Sequence, residues 1–222
     1  MKILVVSDEE SQWLWDYYRP DRLKPYDLII SCGDLKAEYL RFLVTMARCP
    51  VLYVHGNHDE HYRFDPPEGC DCIDGAIVEY NGVRIAGLGG CLRYHDGTFH
   101  VSEQQMRRRI FRLCRRLRWL GGVDIMVTHA PPEDLGDGND YAHRGFAAFH
   151  SLLKHFPPHH WLYGHIHLRN GDGRSRVTVH EQTTFINCCG MYELEIPDKE
   201  VAMRKQGQLH WRLKAPIVWA EL

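Results

Sequence analysis

The chain has 222 residues, 44% of them hydrophobic, and a formal net charge of -2. That size supports one substantial core or at most two small ones, and we read residues 1–222 as a single soluble domain. The charge gives no support to a wholly basic nucleic-acid-binding surface, although a local patch is still open. No run of about 18 apolar residues exists to span a bilayer, and no charged n-region opens the chain, so a cytoplasmic protein without membrane contact is expected.

In chain order, Lys2 to Ser7 and Asp27 to Ser31 predict strands, Ala37 to Arg48 a helix with Leu40, Leu43, Val44 and Ala47 on one face, and Val51 to His55 a third strand. Ala76 to Tyr80 and Val83 to Leu88 flank Asn81-Gly82, a pair suited to the positive φ angles of a two-residue hairpin turn. A helix is predicted over Ser102 to Leu120, a strand over Val123 to Thr128, a helix over Gly145 to Phe156 and a strand over Trp161 to Tyr163. Thr178 to Cys188 and Tyr192 to Ile196 complete the list of strands, with a turn at Pro197-Asp198-Lys199 before a last strand, Val201 to Arg204. Near-continuous Val- and Ile-rich runs suit strands buried on both faces. The expectation is an α/β fold with two facing mixed β-sheets flanked by helices.

Five polar clusters close or follow apolar runs: Asp8 with Glu10, Gly33-Asp34, Gly56-Asn57-His58-Asp59, Thr128-His129-Ala130 and Gly164-His165-Ile166-His167. Carboxylates, an amide oxygen and imidazoles gathered beyond strand ends form the ligand set of a two-metal hydrolytic site. A lone Gly-Asp pair or a lone histidine after a strand is weak evidence, since turns and satisfied histidines produce both. The blocks led by Gly56 and Gly164 are stronger, because glycine lets the backbone turn sharply and the polar residues then converge.

Together these blocks resemble the calcineurin-like metallophosphoesterase superfamily, in family order from Asp8 to His167. The resemblance implies an αββα sandwich and a metal-dependent phosphoesterase. It implies that Asp34 bridges two divalent metals, the first also held by Asp8, Glu10 and His167, the second by Asn57, His129 and His165. Water or hydroxide between the metals would be the nucleophile, His58 would protonate the leaving oxygen or stabilise its charge, and Asp59 would orient His58 or a nearby backbone group. The substrate would be a phosphate ester, a small molecule or nucleotide.

One departure stands out. The family's first block is usually Asp-x-His, whereas this chain reads Asp8-Glu9-Glu10. A carboxylate there makes the site harder and more negative, which favours manganese or iron over zinc and a singly charged diester over a doubly charged monoester. The alternative function is a non-catalytic metal-binding scaffold of the same fold that mediates protein contacts; the presence of His58 argues against it.

Other features are read both ways. Helix Ser102 to Leu120 carries seven arginines against Glu103, enough to attract a nucleic acid, but a solvated helix face is the favoured reading. The eight cysteines fit no four-thiolate pattern and are taken as buried or incidental thiols, with Cys70-Asp71-Cys72 and Cys188-Cys189 the pairs to inspect. Asp134 to Asp140 lacks the closing glutamate of a calcium loop and is read as a flexible loop beside the site. His143 and Arg144 precede the predicted Gly145 helix and could set a guanidinium and a helix N-terminus against a substrate phosphate. His61, His95 and His100 are read as surface or loop histidines.

Overall fold

The computed structural model describes residues 1–168 and 175–197, and the backbone of 210–213. Its strands are β1 (Lys2–Ser7), β2 (Leu28–Ser31), β3 (Val51–Tyr53), β4 (Asp71–Cys72), β5 (Ile77–Tyr80), β6 (Val83–Leu88), β7 (Cys91–Leu92), β8 (His100–Val101), β9 (Ile125–Thr128), β10 (His160–Tyr163), β11 (Val177–His180), β12 (Thr183–Asn187), β13 (Gly190–Glu195) and β14 (His210–Leu213). Its helices are α1 (Ala37–Met46), α2 (Glu103–Leu120) and α3 (Phe149–His155).

A 5-stranded sheet runs β13-β1-β2-β3-β4 and a 7-stranded sheet runs β11-β12-β10-β9-β6-β5-β14. Side chains alternate across each strand. Ile3 and Val5 of β1 point with Leu28 and Ile30 of β2 into a core shared with Val78, Ile85, Ile125, Val127 and Leu162 of the other sheet. Leu4, Val6 and Ile29 point the opposite way, onto Leu40 and Leu43 of α1. On the far side Met126, Trp161 and Phe185 meet Met106, Ile110 and Leu113 of α2 and Phe149 and Leu152 of α3. The expected helix-sheet-sheet-helix layering follows, and it explains the near-continuous apolar strands: both faces are covered, and truncating one such Leu or Ile costs roughly 2–5 kcal/mol.

Boundaries follow local chemistry. A capping box between Ser102 and Gln105 starts α2, and Gly121 in the left-handed region (φ 76) ends it. Asn81 (φ 47) and Gly82 (φ 77) make the expected hairpin between β5 and β6. Three expectations need correction. The run Thr178 to Cys188 is two antiparallel strands, β11 and β12, because Glu181 turns the chain at φ 51. The helix expected from Gly145 starts only at Phe149: Phe146 first bridges to Pro132, and the backbone of Gly145 packs so tightly that a Cβ would sit 2.4 Å from the Pro132 carbonyl carbon. His100 is no loop histidine but sits buried on β8 beside Cys91, its Nδ1 3.4 Å from that Sγ. The turn through Asp198 and Lys199 and the strand Val201 to Arg204 lie outside the described residues. Among the described residues no helix is long and apolar enough to cross a membrane.

Candidate metal centre

Parallel pairing of β1 with β2 and of β2 with β3 aligns the carboxyl ends that release Asp8, Asp34 and Asn57. Parallel pairing of β10 with β9 and with β12 does the same for His129, His165 and the Cys188-Cys189 pair. Asp8 (φ 63), Asp34 (φ 57) and His165 (φ 68) all hold the left-handed conformation, which is strained for residues with a Cβ and collects at functional sites. Two glycines admit the close approach. A Cβ on Gly56 would lie 2.1 Å from Asp34 Oδ1, and one on Gly164 would lie 2.5 Å from Asp8 Oδ2.

Ligand-type atoms of Asp8, Asp34 and His129 lie within 4.8 Å of one another. Both oxygens of Asp34 are engaged: Oδ1 accepts the His58 backbone N–H at 2.7 Å, and Oδ2 lies 3.2 Å from His129 Nε2. The Cys32 carbonyl, 2.9 Å from His129 Nδ1, can only accept, so Nδ1 carries a proton and Nε2 is aimed at Asp34 and at Asn57 Oδ1, 2.9 Å away. Burial alone would raise Asp34, but His129 and the His58 N–H outweigh it and hold the carboxyl at about 2. Burial would lower His129, but the Asp34 carboxylate, with Asp8 behind it, raises it to about 9.

His165 goes the other way. Burial, then the neighbouring His129 whose ring centre is 4.9 Å away, push it down to about 3, so it is a neutral imidazole. Its Nε2 donates to the Ala142 carbonyl at 2.9 Å, leaving Nδ1 as the lone-pair nitrogen. Its backbone N–H donates to the Asp8 carboxylate at 2.9 and 3.1 Å. Asp59 Oδ2 accepts the backbone N–H groups of Gly56 and Asp34 at 2.7 and 3.0 Å, so it braces the loop that carries Asn57 and His58. Burial first, then the charge of Asp34, raise Asp59 to about 6.

The remaining residues lie on an open side. His167 Nδ1 is 3.2 Å from Glu9 Oε1 and 3.9 Å from Cys189 Sγ. Glu10, expected beside Asp8, instead places its carboxylate 3.5 Å from Lys36 Nζ. His58 is exposed at the edge of the cluster. The His143 ring sits 5.3 Å from that of His165, at the rim, its Nδ1 held 2.8 Å from the Asp140 carboxylate. Arg144 lies exposed near the Tyr141 ring. No helix N-terminus backs these two, since α3 begins later and Glu103 already accepts the Ala147 and Ala148 N–H groups at 2.8 and 3.0 Å.

Sequence reasoning missed Glu9, Cys189 and the carbonyls of Cys32 and Ala142; no spacing marks a carbonyl, and only the flagged Cys188-Cys189 pair gave a signal. All eight cysteines are free. Two arginines of α2 turn inward: Arg109 pairs with Asp74, whose carboxylate also takes the Gly89 N–H at 2.8 Å, and Arg116 donates to the Gly75 carbonyl at 3.0 Å. Arg107, Arg115 and Arg118 face a groove with the exposed Phe111 and Trp119.

A family model described as the calcineurin-like phosphoesterase superfamily domain matches residues 1–202. The UPF0046 protein T07D4.2 of Caenorhabditis elegans is 28% identical over 119 residues, 53% of this chain and 28% of that protein. The lariat debranching enzyme of Homo sapiens is 24% identical over 201 residues, 65% of this chain and 37% of the enzyme. This chain thus spans well under half the length of these curated relatives. Among solved structures, TT1561 of Thermus thermophilus superimposes with a TM-score of 0.56 at 16% identity, covering 85% of this chain and 89% of that one, which supports the fold alone. With the family model spanning all five polar blocks, the chain belongs to the calcineurin-like phosphoesterase superfamily.

Proposed function

We propose that the protein hydrolyses phosphate esters with two divalent cations, phosphodiesters ahead of monoesters. The observation that carries this reading is the convergence of Asp8, Asp34 and His129 from three strand ends, with Asn57 and His165 against the same imidazole. The donor set fits the cations: two carboxylates with an imidazole nitrogen facing them and its tautomer fixed from behind. Asp34 would lie between the two, with Asp8 and His167 on one side and Asn57, His129 and His165 on the other; Glu10 keeps the role expected of it only by leaving Lys36. Bound there, the cations would activate water and neutralise charge on the phosphoryl oxygens.

The chain's own groups do the rest. Cys32 and Ala142 hold the two buried imidazoles in the tautomers that leave one nitrogen free. Asp59 fixes the loop, and His58, exposed beside Asn57, would give a proton to the leaving oxygen. His143 and Arg144 at the rim would meet the substrate phosphate through their side chains alone. Asp8, Asp34 and a glutamate in place of the usual histidine leave the site less positive than the family pattern, which favours a singly charged diester. Similarity to enzymes named for lariat debranching points to a diester as well. Inward-turned Arg109 and Arg116 support the reading of α2 as a solvated face and not a nucleic-acid site. On the carboxylate count, manganese or iron is favoured, and a cytoplasmic single-domain protein remains the proposal.

The test is hydrolysis of bis-p-nitrophenyl phosphate and p-nitrophenyl phosphate with added manganese, beside Asn57→Ala. Turnover of both with the diester faster, lost in the variant, is the expected result. Turnover of neither, with metal bound, would overturn the enzyme and leave the scaffold.

A further inference from the structure

We infer that Glu9, His167 and Cys189 form a mixed carboxylate, imidazole and thiolate metal face, and that Glu9 and Cys189 hold the first cation in place of Glu10. The inference rests on the two-metal reading above and names ligands within it. The three ligand atoms lie within 4.8 Å of one another, and both neighbours of His167 address the same nitrogen, Nδ1.

Bond lengths of about 2.3 Å to sulfur and about 2.1 Å to nitrogen or oxygen at tetrahedral angles place sulfur and nitrogen about 3.6 Å apart, and oxygen and nitrogen about 3.4 Å apart. The observed 3.9 and 3.2 Å lie within a few tenths of an ångström of those edges. Cys189 is also held in place. Its N–H donates to Asn187 Oδ1 at 2.9 Å, the same amide donates to the Ile166 carbonyl at 2.7 Å, and Arg176 donates to the Cys189 carbonyl at 3.2 Å. One buried side chain therefore sets the spacing between the segment bearing His167 and the segment bearing Cys189. Glu10 is drawn to Lys36, whereas its neighbour Glu9 faces His167.

On binding, the thiol gives its proton to solvent, a sulfur–metal bond forms, and nothing is oxidised or reduced. A soft thiolate moves this position from manganese towards zinc, iron or cobalt, against the preference the carboxylates alone would set.

Cobalt(II) titration of the metal-free full-length protein tests this. Wild type is expected to show a thiolate-to-cobalt charge-transfer band in the near ultraviolet; C189S is expected to lose that band while still binding cobalt, and C114S to keep it. Zinc-edge X-ray absorption of wild type, which needs no variant to fold, is expected to show a sulfur neighbour at about 2.3 Å. Cobalt bound without the band, a band kept in C189S, or zinc with only nitrogen and oxygen neighbours would overturn the inference and leave the two-metal reading standing. No cobalt bound at all would overturn both.

Discussion

On one side of the centre His129 is fully buried and Asn57 is 4% exposed, whereas on the other the side chains of His167 and Glu9 are 49% and 64% exposed. The walled side is aimed by backbone: a carbonyl behind His129, a carbonyl behind His165, and N–H groups on Asp34 and Asp8. The open side is built from the exposed side chains of Glu9 and His167, which meet each other directly and meet the Cys189 thiol beneath them. A buried donor without a partner is costly, so the walled side can hold one arrangement only; the open side tolerates a changed ligand. The departure from the family pattern, Glu10 for histidine, falls on the open side, where a neighbouring Glu9 lies ready.

Substitution should separate the two sides most sharply in rate. Asp34→Ala or His129→Ala should lower phosphodiester turnover by at least roughly 10³-fold, the top of the range for removing one preorganised charge-stabilising group. Equal loss from Glu10→Gln would break the distinction between the sides.

Stability should show the wall as well. Burial would raise the Asp74 carboxyl, but Arg109, His55 and the Gly89 N–H hold it well below the usual carboxylate range, and Arg109→Met removes the guanidinium from that set. Leaving that charge buried should cost about 3–5 kcal/mol, read from the denaturant midpoint. Asp59→Ala strands the N–H groups of Gly56 and Asp34 and should cost about 1–3 kcal/mol by the same measurement. No change in midpoint would show that the loop is held by something else.

Titration sharpens the contrast inside the wall. In the metal-free protein His129, raised from 6.5 to about 9, is an imidazolium with both ring nitrogens protonated, while His165, at about 3, keeps only its Nε2 proton. A cation on His129 must displace its Nε2 proton, so apparent affinity there should rise about tenfold per pH unit up to about 9, with one proton released from His129 in addition to the one the Cys189 thiol gives up. Because that pKa is raised on folding, its contribution to apoprotein stability is complete below 6.5 and fades as pH climbs through about 9. Calorimetry of C189S in buffers of different ionisation enthalpy counts the His129 proton alone; zero would contradict the assigned charge. The smallest effect is expected at Lys36→Met, below about 1 kcal/mol, since its partner contact with Glu10 is largely exposed.

Most of the layered fold was legible because two-sided burial writes itself into strands such as β1 and β9 as unbroken apolar runs, and because Asn81-Gly82 has local chemistry that needs no tertiary context. Boundaries failed where long-range contacts decided them. Glu181 turns into β12 without a glycine, and Gly145 is held by packing on Pro132, which no window around position 145 reveals. Within the site, glycine-led blocks marked Asp34, Asn57 and His165. The choice between Glu9 and Glu10 depends on which way two adjacent side chains lean, and the approach of Cys189 depends on the pairing of β10 with β12.

The most direct test of the bridging role proposed for Asp34 is anomalous diffraction from crystals grown with manganese or zinc. Two peaks about 3.5–4 Å apart, one against each Asp34 oxygen, are predicted. Peaks that avoid that carboxylate, or a single ion elsewhere, would contradict it.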